Sequence, residues 1–328
     1  GRGLVIDRSP NPLQIFVRGI ERELIISARV TSQQEPEFES DADGNPVTDL
    51  FPPIDMMFFI GIVMSLLAIA FSYDSISGEK ESGTLKLLMS YPVPRDQVLM
   101  AKWIGGFMAL AAPFVRAMLC SLIVVILFPT VELRSDDWLA IGGLVGVGLI
   151  YLAAIYSLGV FVSARTQLAS TSITVLLMIW VLMVLIVPNV SPYVAAQLAP
   201  VAAFTEVDRD KQTREEAIAE DFQRDVDAFA ENNPEIEVWG RDGLWGTEWN
   251  LIEQRRGLRL IDAQSKIDQK FVNELGEQIA LAEHLSRLSP FSSFAYSAAG
   301  LTGTGFRERE RFLATLPEFR RDVAIFVT

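Results

Sequence analysis

Four long, nearly uncharged apolar runs, at residues 54–72, 103–128, 138–162 and 171–187, limit what this chain can fold into. A helix needs roughly 20 mostly apolar residues to cross the hydrocarbon core of a bilayer, and each run meets or approaches that length. The cores of soluble proteins do not supply four such runs so close together. The runs lack the period-2 alternation of an outer-membrane barrel, so helices are expected. The balance of the whole chain agrees: half of the residues are hydrophobic although the formal net charge is -13, so apolar and acidic residues must be segregated along it. The expected fold class is an all-α polytopic membrane protein with four visible transmembrane helices and a largely helical extracytoplasmic domain. Aromatic residues stand where an interfacial belt would place them: Phe71, Tyr73, Trp103, Trp138 and Tyr193.

Orientation follows from the short loops, because Lys and Arg are retained in the cytoplasm. Residues 73–102 hold Lys80, Lys86, Arg95 and Lys102, and residues 163–170 hold Arg165. Residues 129–137 hold Arg134 beside Glu132, Asp136 and Asp137. The expectation is therefore a cytoplasmic 73–102 loop, a cytoplasmic 163–170 loop, and extracytoplasmic segments at 1–53, 129–137 and 188–328. The last of these is acidic, with 16 Lys and Arg against 24 Asp and Glu. An exported first segment that begins at Gly1 without a signal peptide, and the apolar closing residues 323–328, suggest one further span at each end, about six in the natural protein.

Several residues carry no chemistry on this reading. Cys120, the single cysteine, falls in the second span and reads as packing; His284, the single histidine, falls in a polar helical pattern. The methionines follow no ligand spacing and read as flexible apolar filler. The sequence holds no phosphate loop, nucleophile elbow or paired-acid site, so any nucleotide must be hydrolysed by a partner.

In the 188–328 segment, Ile218, Phe222, Val226 and Phe229 recur at helical spacing. A break rich in turn residues follows around Asn233-Pro234. A longer helix then carries Ile261, Ile267, Phe271, Leu275, Ile279, Ala282 and Leu285 on one face, and the two helices are expected to pack as an antiparallel hairpin. LSPFSSFAYSAAGLTGTGF, residues 288–306, is too broken by Gly and Pro to span and is expected in the outer interface against the spans. Residues 13–30 suit two short strands or a strand and a helix, with a loop at Asp43-Gly44-Asn45-Pro46.

The polar run SYDSISGEKESGTLKLLMSYPVPR, residues 72–95, sits between the first two spans. Ser77-Gly78 is expected to end the helix coming down from the first span. Gly83-Thr84 offers a new start, with Glu79 and Glu81 near the positive end of its dipole. Leu85, Leu88 and Met89 then share a face until Pro92 stops the run. Such an element either seats in a cleft of a cytoplasmic protein or lies at the interface and turns the chain.

Its wording resembles the cytoplasmic loop of permease subunits of the ABC type-two superfamily, with the type V exporter architecture. The group includes the nitrous-oxide-reductase maturation and gliding-motility permeases. The resemblance rests on Ser77-Gly78-Glu79-Lys80-Glu81, Ser82-Gly83-Thr84-Leu85, Leu87-Leu88, and Ser90 with Pro92 and Arg95. It implies a half-transporter that pairs with a second permease copy and rests on a separate cytoplasmic ABC ATPase, which would hold ATP and Mg; no cofactor is expected in this chain, and no nucleic-acid partner. It further implies a coupling helix near residues 83–91, with Glu79, Glu81, Ser82, Gly83, Thr84, Leu85 and Leu88 at the ATPase contact. Gly142, Gly143, Gly146 and Gly148 offer a small-residue face in the third span. Arg116 is the one charge well inside a span, which marks it for a pathway role or for a snorkelling position beside membrane lipids. Two functions stay open: an exporter of a solute or lipid across the bacterial inner membrane, and a mechanotransmitter that relays ATPase motion to a periplasmic partner with nothing transported.

Overall fold

The computed structural model describes residues 4–7, 12–17, 25–30, 37–40, 55–128, 133–232, 247–305, 311 and 315. The Asp43-Pro46 loop, the Asn233-Pro234 break and the closing apolar residues lie outside them. Among the described residues four helices are long and apolar enough to cross a membrane. The first is α1, helical at Met56–Phe58, widened to a π-helix over Phe59–Met64 and helical again over Ser65–Ser72. A turn at residues 73–76 leads to two short helices, α2 (Ser77–Glu81) and α3 (Thr84–Leu88). The second span is α4 (Arg95–Leu127) and the third is α5 (Ser135–Arg165). The fourth, α6, runs over Ala169–Trp180, a π-helix at Val181–Ile186, and Val187–Leu198. Then follow α7 (Phe204–Asn232), α8 (Thr247–Ser286) and α9 (Pro290–Thr302).

The helices overrun the apolar stretches that announce them. α4 begins eight residues before Trp103, because Pro94 presets its entry and Asp96 faces the positive end of the first turn. α5 begins at Ser135, where the Asp137 side chain accepts from the Arg134 backbone N–H at 2.8 Å. The largest extension is in α6, which continues past Pro188 and through Pro192 to Leu198. A proline inside an α-helix clashes with the carbonyl four residues back and removes an N–H. Here the π turn immediately before it changes the register: the Val187 N–H bonds to the Leu182 carbonyl, five residues back. For the next carbonyl, on Met183, the residue five positions on is Pro188, which has no N–H to give. That carbonyl accepts the Ser289 hydroxyl instead. Ser289→Ala should remove the hydroxyl from this part-buried carbonyl and cost about 1 kcal/mol. A lowered thermal midpoint that Pro188→Ala partly restores is the expected pattern.

Before the bundle lies a small antiparallel sheet in the order β1-β2-β3, with β1 at Leu4–Asp7, β2 at Ile25–Val30 and β3 at Glu37–Ser40. Leu4 pairs with Val30 and Ala28 with Phe38. A short 3-10 turn at Pro12–Ile15 drops Leu13, Phe16 and Val17 into the core of the spans, and the Met56 N–H bonds to the Phe16 carbonyl at 3.1 Å.

The spans are joined by a buried polar network at the first π turn. The Gly61 carbonyl accepts from the Ser65 hydroxyl at 2.6 Å and from the Tyr151 hydroxyl of α5 at 2.8 Å; Trp180 Nε1 of α6 donates to Ser65 Oγ at 2.9 Å. π turns widen the helix and leave carbonyls that side chains can reach.

The glycines of α5 do not form one face. Gly143 meets Leu301 of α9 and Gly148 meets Phe114 of α4, while Gly142 and Gly146 face open space. The closest approaches are elsewhere, at Gly61 against Phe291, Gly106 against Tyr156 and Gly159 against Ser72. Cys120 is exposed rather than packed.

α7 and α8 pack antiparallel. Lys211 pairs with Asp268 at 2.8 Å, Arg256 lies 4.6 Å over the Phe222 ring, and Phe204 meets Phe271 edge-on. The last turns of α8 then descend beside α6: Gln278 donates to the Ala199 carbonyl at the end of that span, and Ser289 reaches Met183 at its midpoint. α9 turns back along α5, with Phe294 stacked on Tyr151 at 5.1 Å and Leu301 over Gly143. The segment read as interfacial is therefore a re-entrant hairpin whose tip stands halfway down the fourth span. Its Gly and Pro mark the two ends of α9, with Pro290 in the first turn and Gly303 closing it at φ 64°.

Candidate functional site

The polar elbow between α1 and α4 is built in two halves. Ser77-Gly78 does not end a helix; it opens α2, because the orphan N–H groups at the start of that helix find a cap in another span. Ser163 Oγ of α5, fully buried, accepts from the N–H of Ile76 at 3.0 Å and of Ser77 at 2.9 Å, and it lies 3.1 Å from Ser77 Oγ. The charged residues of α2 then reach the junction between α5 and α6. Lys80 Nζ donates to the Thr166 carbonyl at 2.9 Å and to the Ala164 carbonyl, at the negative end of α5. Glu81 Oε2 accepts from the Ala169 N–H at 3.0 Å, at the positive end of α6. A cation and an anion from one five-residue helix thus complement the dipoles of two spans across the turn that joins them. Each contact of this kind stabilises by about 0.3–1 kcal/mol near a surface.

Glu79 is likewise held within the chain. Its carboxylate pairs with Lys102 Nζ of α4 at 2.5 Å, and the same ammonium donates to the Ser75 carbonyl at 2.8 Å. α2 is therefore tied to α4, α5 and α6 together.

The second half is free of such ties. Ser82 closes α2, and Gly83 turns the chain at φ 77°, a left-handed backbone that disfavours any side chain. The hydroxyls of Ser82 and Thr84 lie 2.9 Å apart. Leu85, Leu88 and Met89 are half-buried, and Leu85 packs against the core of the bundle. The opposite face of the elbow is apolar and exposed: Leu87 is 66% accessible, Tyr91 62% and Val93 43%. Of the residues assigned to the contact from the sequence, Ser82, Gly83 and Thr84 lie at the exposed bend, Glu79 and Glu81 bind back to the spans, and Leu85 and Leu88 face inward. Leu87 and Tyr91 fall within residues 83–91 but are not among the contact residues expected from the sequence; Leu87 lies one turn on from Thr84, while Tyr91 lies beyond the end of α3. Arg116 is far from the elbow, exposed on α4, and makes no ion pair among the described residues. Among the described residues no group of three or more His, Cys, Asp or Glu side chains could hold a metal ion.

Four membrane-length helices among the described residues define a multi-pass membrane protein. The chain belongs to the ABC-2 family of transporter proteins, whose profile matches residues 16–324. It is similar to the probable ABC transporter permease protein NosY of Stutzerimonas stutzeri, at 33% identity over 38% of this chain and 45% of that protein. It is similar also to the probable ABC transporter permease protein NosY of Pseudomonas aeruginosa, at 34% identity over 34% of this chain and 42% of that one. The matched stretch spans under half the length of each of these relatives.

Proposed function

We propose that this chain is the membrane subunit of an ATP-binding-cassette exporter in the bacterial inner membrane, powered by a separate cytoplasmic ATPase and paired with a second permease copy. ATP and Mg belong to the ATPase. The observation that carries the reading is the division within the elbow: an exposed apolar face at Leu87, Tyr91 and Val93 on one half, and a polar clamp to three spans on the other. A partner seated on the first half pushes on the second. α2 then carries the displacement to α4 through Glu79–Lys102 and to the α5–α6 junction through Lys80 and Glu81. The cytoplasmic placement of the elbow rests on its four basic residues. The description of the relatives as ABC transporter permeases points the same way.

A second reading, mechanotransmission, is favoured by α8. That helix is unbroken for 40 residues, from the α7 hairpin to the tip beside Met183, so a movement of the fourth span is passed directly to the hairpin. One experiment separates the two. The natural full-length protein is purified in mild detergent with whatever associates, reconstituted in liposomes, and assayed for ATP turnover with candidate lipids and exported solutes. An associated ATPase stimulated by a solute or lipid is expected for the exporter. Stimulation by an extracytoplasmic protein alone would replace export with mechanotransmission, and the absence of an ATPase would overturn both.

A further inference from the structure

The descending end of α8 carries a polar stripe into the membrane. Asn273, Glu277, Ala280, His284 and Arg287 recur at helical spacing, and all five are exposed. The depth of this stripe is fixed at two points, by Gln278 on the Ala199 carbonyl and by Ser289 on the Met183 carbonyl. His284 and Arg287 lie between those points, on the inner half of that descent, within the depth spanned by α6. A charged side chain at such depth faces water or a protein partner, not acyl chains.

The Arg287 guanidinium donates toward His284 Nδ1 at 3.3 Å. The imidazole offers its other ring nitrogen, Nε2, as a further polar group on the same face. Glu283, four residues before Arg287 on the same helix, makes no ion pair among the described residues. Among the described residues the guanidinium forms no ion pair, and its planar fork suits a carboxylate or phosphate.

We propose that the tip of the re-entrant hairpin lines a water-filled vestibule open on the side of the membrane opposite the elbow, and that Arg287 and His284 bind an anionic phosphate or carboxylate group there. Arg116, on the exposed face of α4 two residues beyond the Phe114–Gly148 contact, is a second cation at comparable depth. The site does not depend on ATPase docking, so it stands or falls separately from the coupling role of the elbow.

The test uses the full-length protein in vesicles with Leu288→Cys, beside the site and 75% exposed, in a Cys120→Ala background that removes the native thiol. Membrane-impermeant anionic and cationic methanethiosulfonate reagents are added from the side opposite the elbow. Both should react, the anionic one faster, and Arg287→Gln should lower the anionic-to-cationic rate ratio by about tenfold, with a smaller fall for His284→Gln. Slowing by inorganic phosphate in phosphatidylcholine vesicles identifies a free anion as ligand, and slowing in phosphatidylglycerol vesicles alone identifies a lipid headgroup; either supports the site. Protection of the introduced thiol from both reagents overturns the vestibule. A rate ratio indifferent to both substitutions, or labelling that neither phosphate source slows, overturns the anion site.

Discussion

Leu87→Asp should strip the ATPase subunit from the purified complex while the permease stays folded in the membrane. The side chain is 66% exposed and touches no part of the core, so its removal from an apolar face falls on the partner alone. A central apolar anchor in a protein interface is worth about 2 kcal/mol or more, so the affinity should fall roughly 30-fold, enough to empty the complex during chromatography. Tyr91→Asp should act in the same direction. Glu81→Gln, by contrast, should leave the ATPase bound, because its carboxylate is spent on the Ala169 N–H; its expected defect is ATP turnover that no longer responds to substrate. Copurification of Leu87→Asp at the parental ratio would show that the elbow's exposed face meets lipid headgroups instead of a protein.

Gly159→Val should be the most damaging single change in the bundle. A Cβ at this position would lie 2.6 Å from the Ser72 Cβ and closer still to its hydroxyl. Ser72 is fully buried and its hydroxyl is bound to the Ala68 carbonyl at 2.7 Å, so neither side chain nor backbone can retreat. Overpacking of a rigid contact costs about 1–3 kcal/mol for one carbon and more for a branched side chain. Gly159→Ala should lower the thermal midpoint in detergent, and Gly159→Val should leave little monodisperse protein. Gly142→Ala is the internal control: it adds the same carbon into open space on the same helix and should leave the thermal midpoint unchanged or slightly raised.

The spans could be read from the sequence because lipid demands long apolar runs, and that requirement acts locally. Their ends were less legible, because whether a proline stops a helix depends on the register before it. The π turn at Val181–Ile186 and the serine that answers it, 106 residues from Met183, leave no local mark. The elbow divides in the same way. Its bend at Gly83 and its two-part character are written in the glycines. The fate of Glu79 and Glu81 is not, since their partners, Lys102 and the Ala169 N–H, are set by how α4, α5 and α6 come together. Within this chain Glu79 and Glu81 bind the spans. The re-entrant hairpin was missed for a related reason. A 13-residue helix cannot cross a bilayer by length, and only its packing on Tyr151 and Gly143 places it inside one.

The unbroken run of α8 has a mechanical meaning. A 40-residue helix is about 60 Å long, and its lower end is pinned beside the π turn of the fourth span. Treated as a rigid arm on that fulcrum, it turns a tilt of about 5° at the midpoint of α6 into a swing of about 5 Å at the far end of the hairpin. On that geometry a small rearrangement of the bundle core would become a larger displacement well outside the membrane.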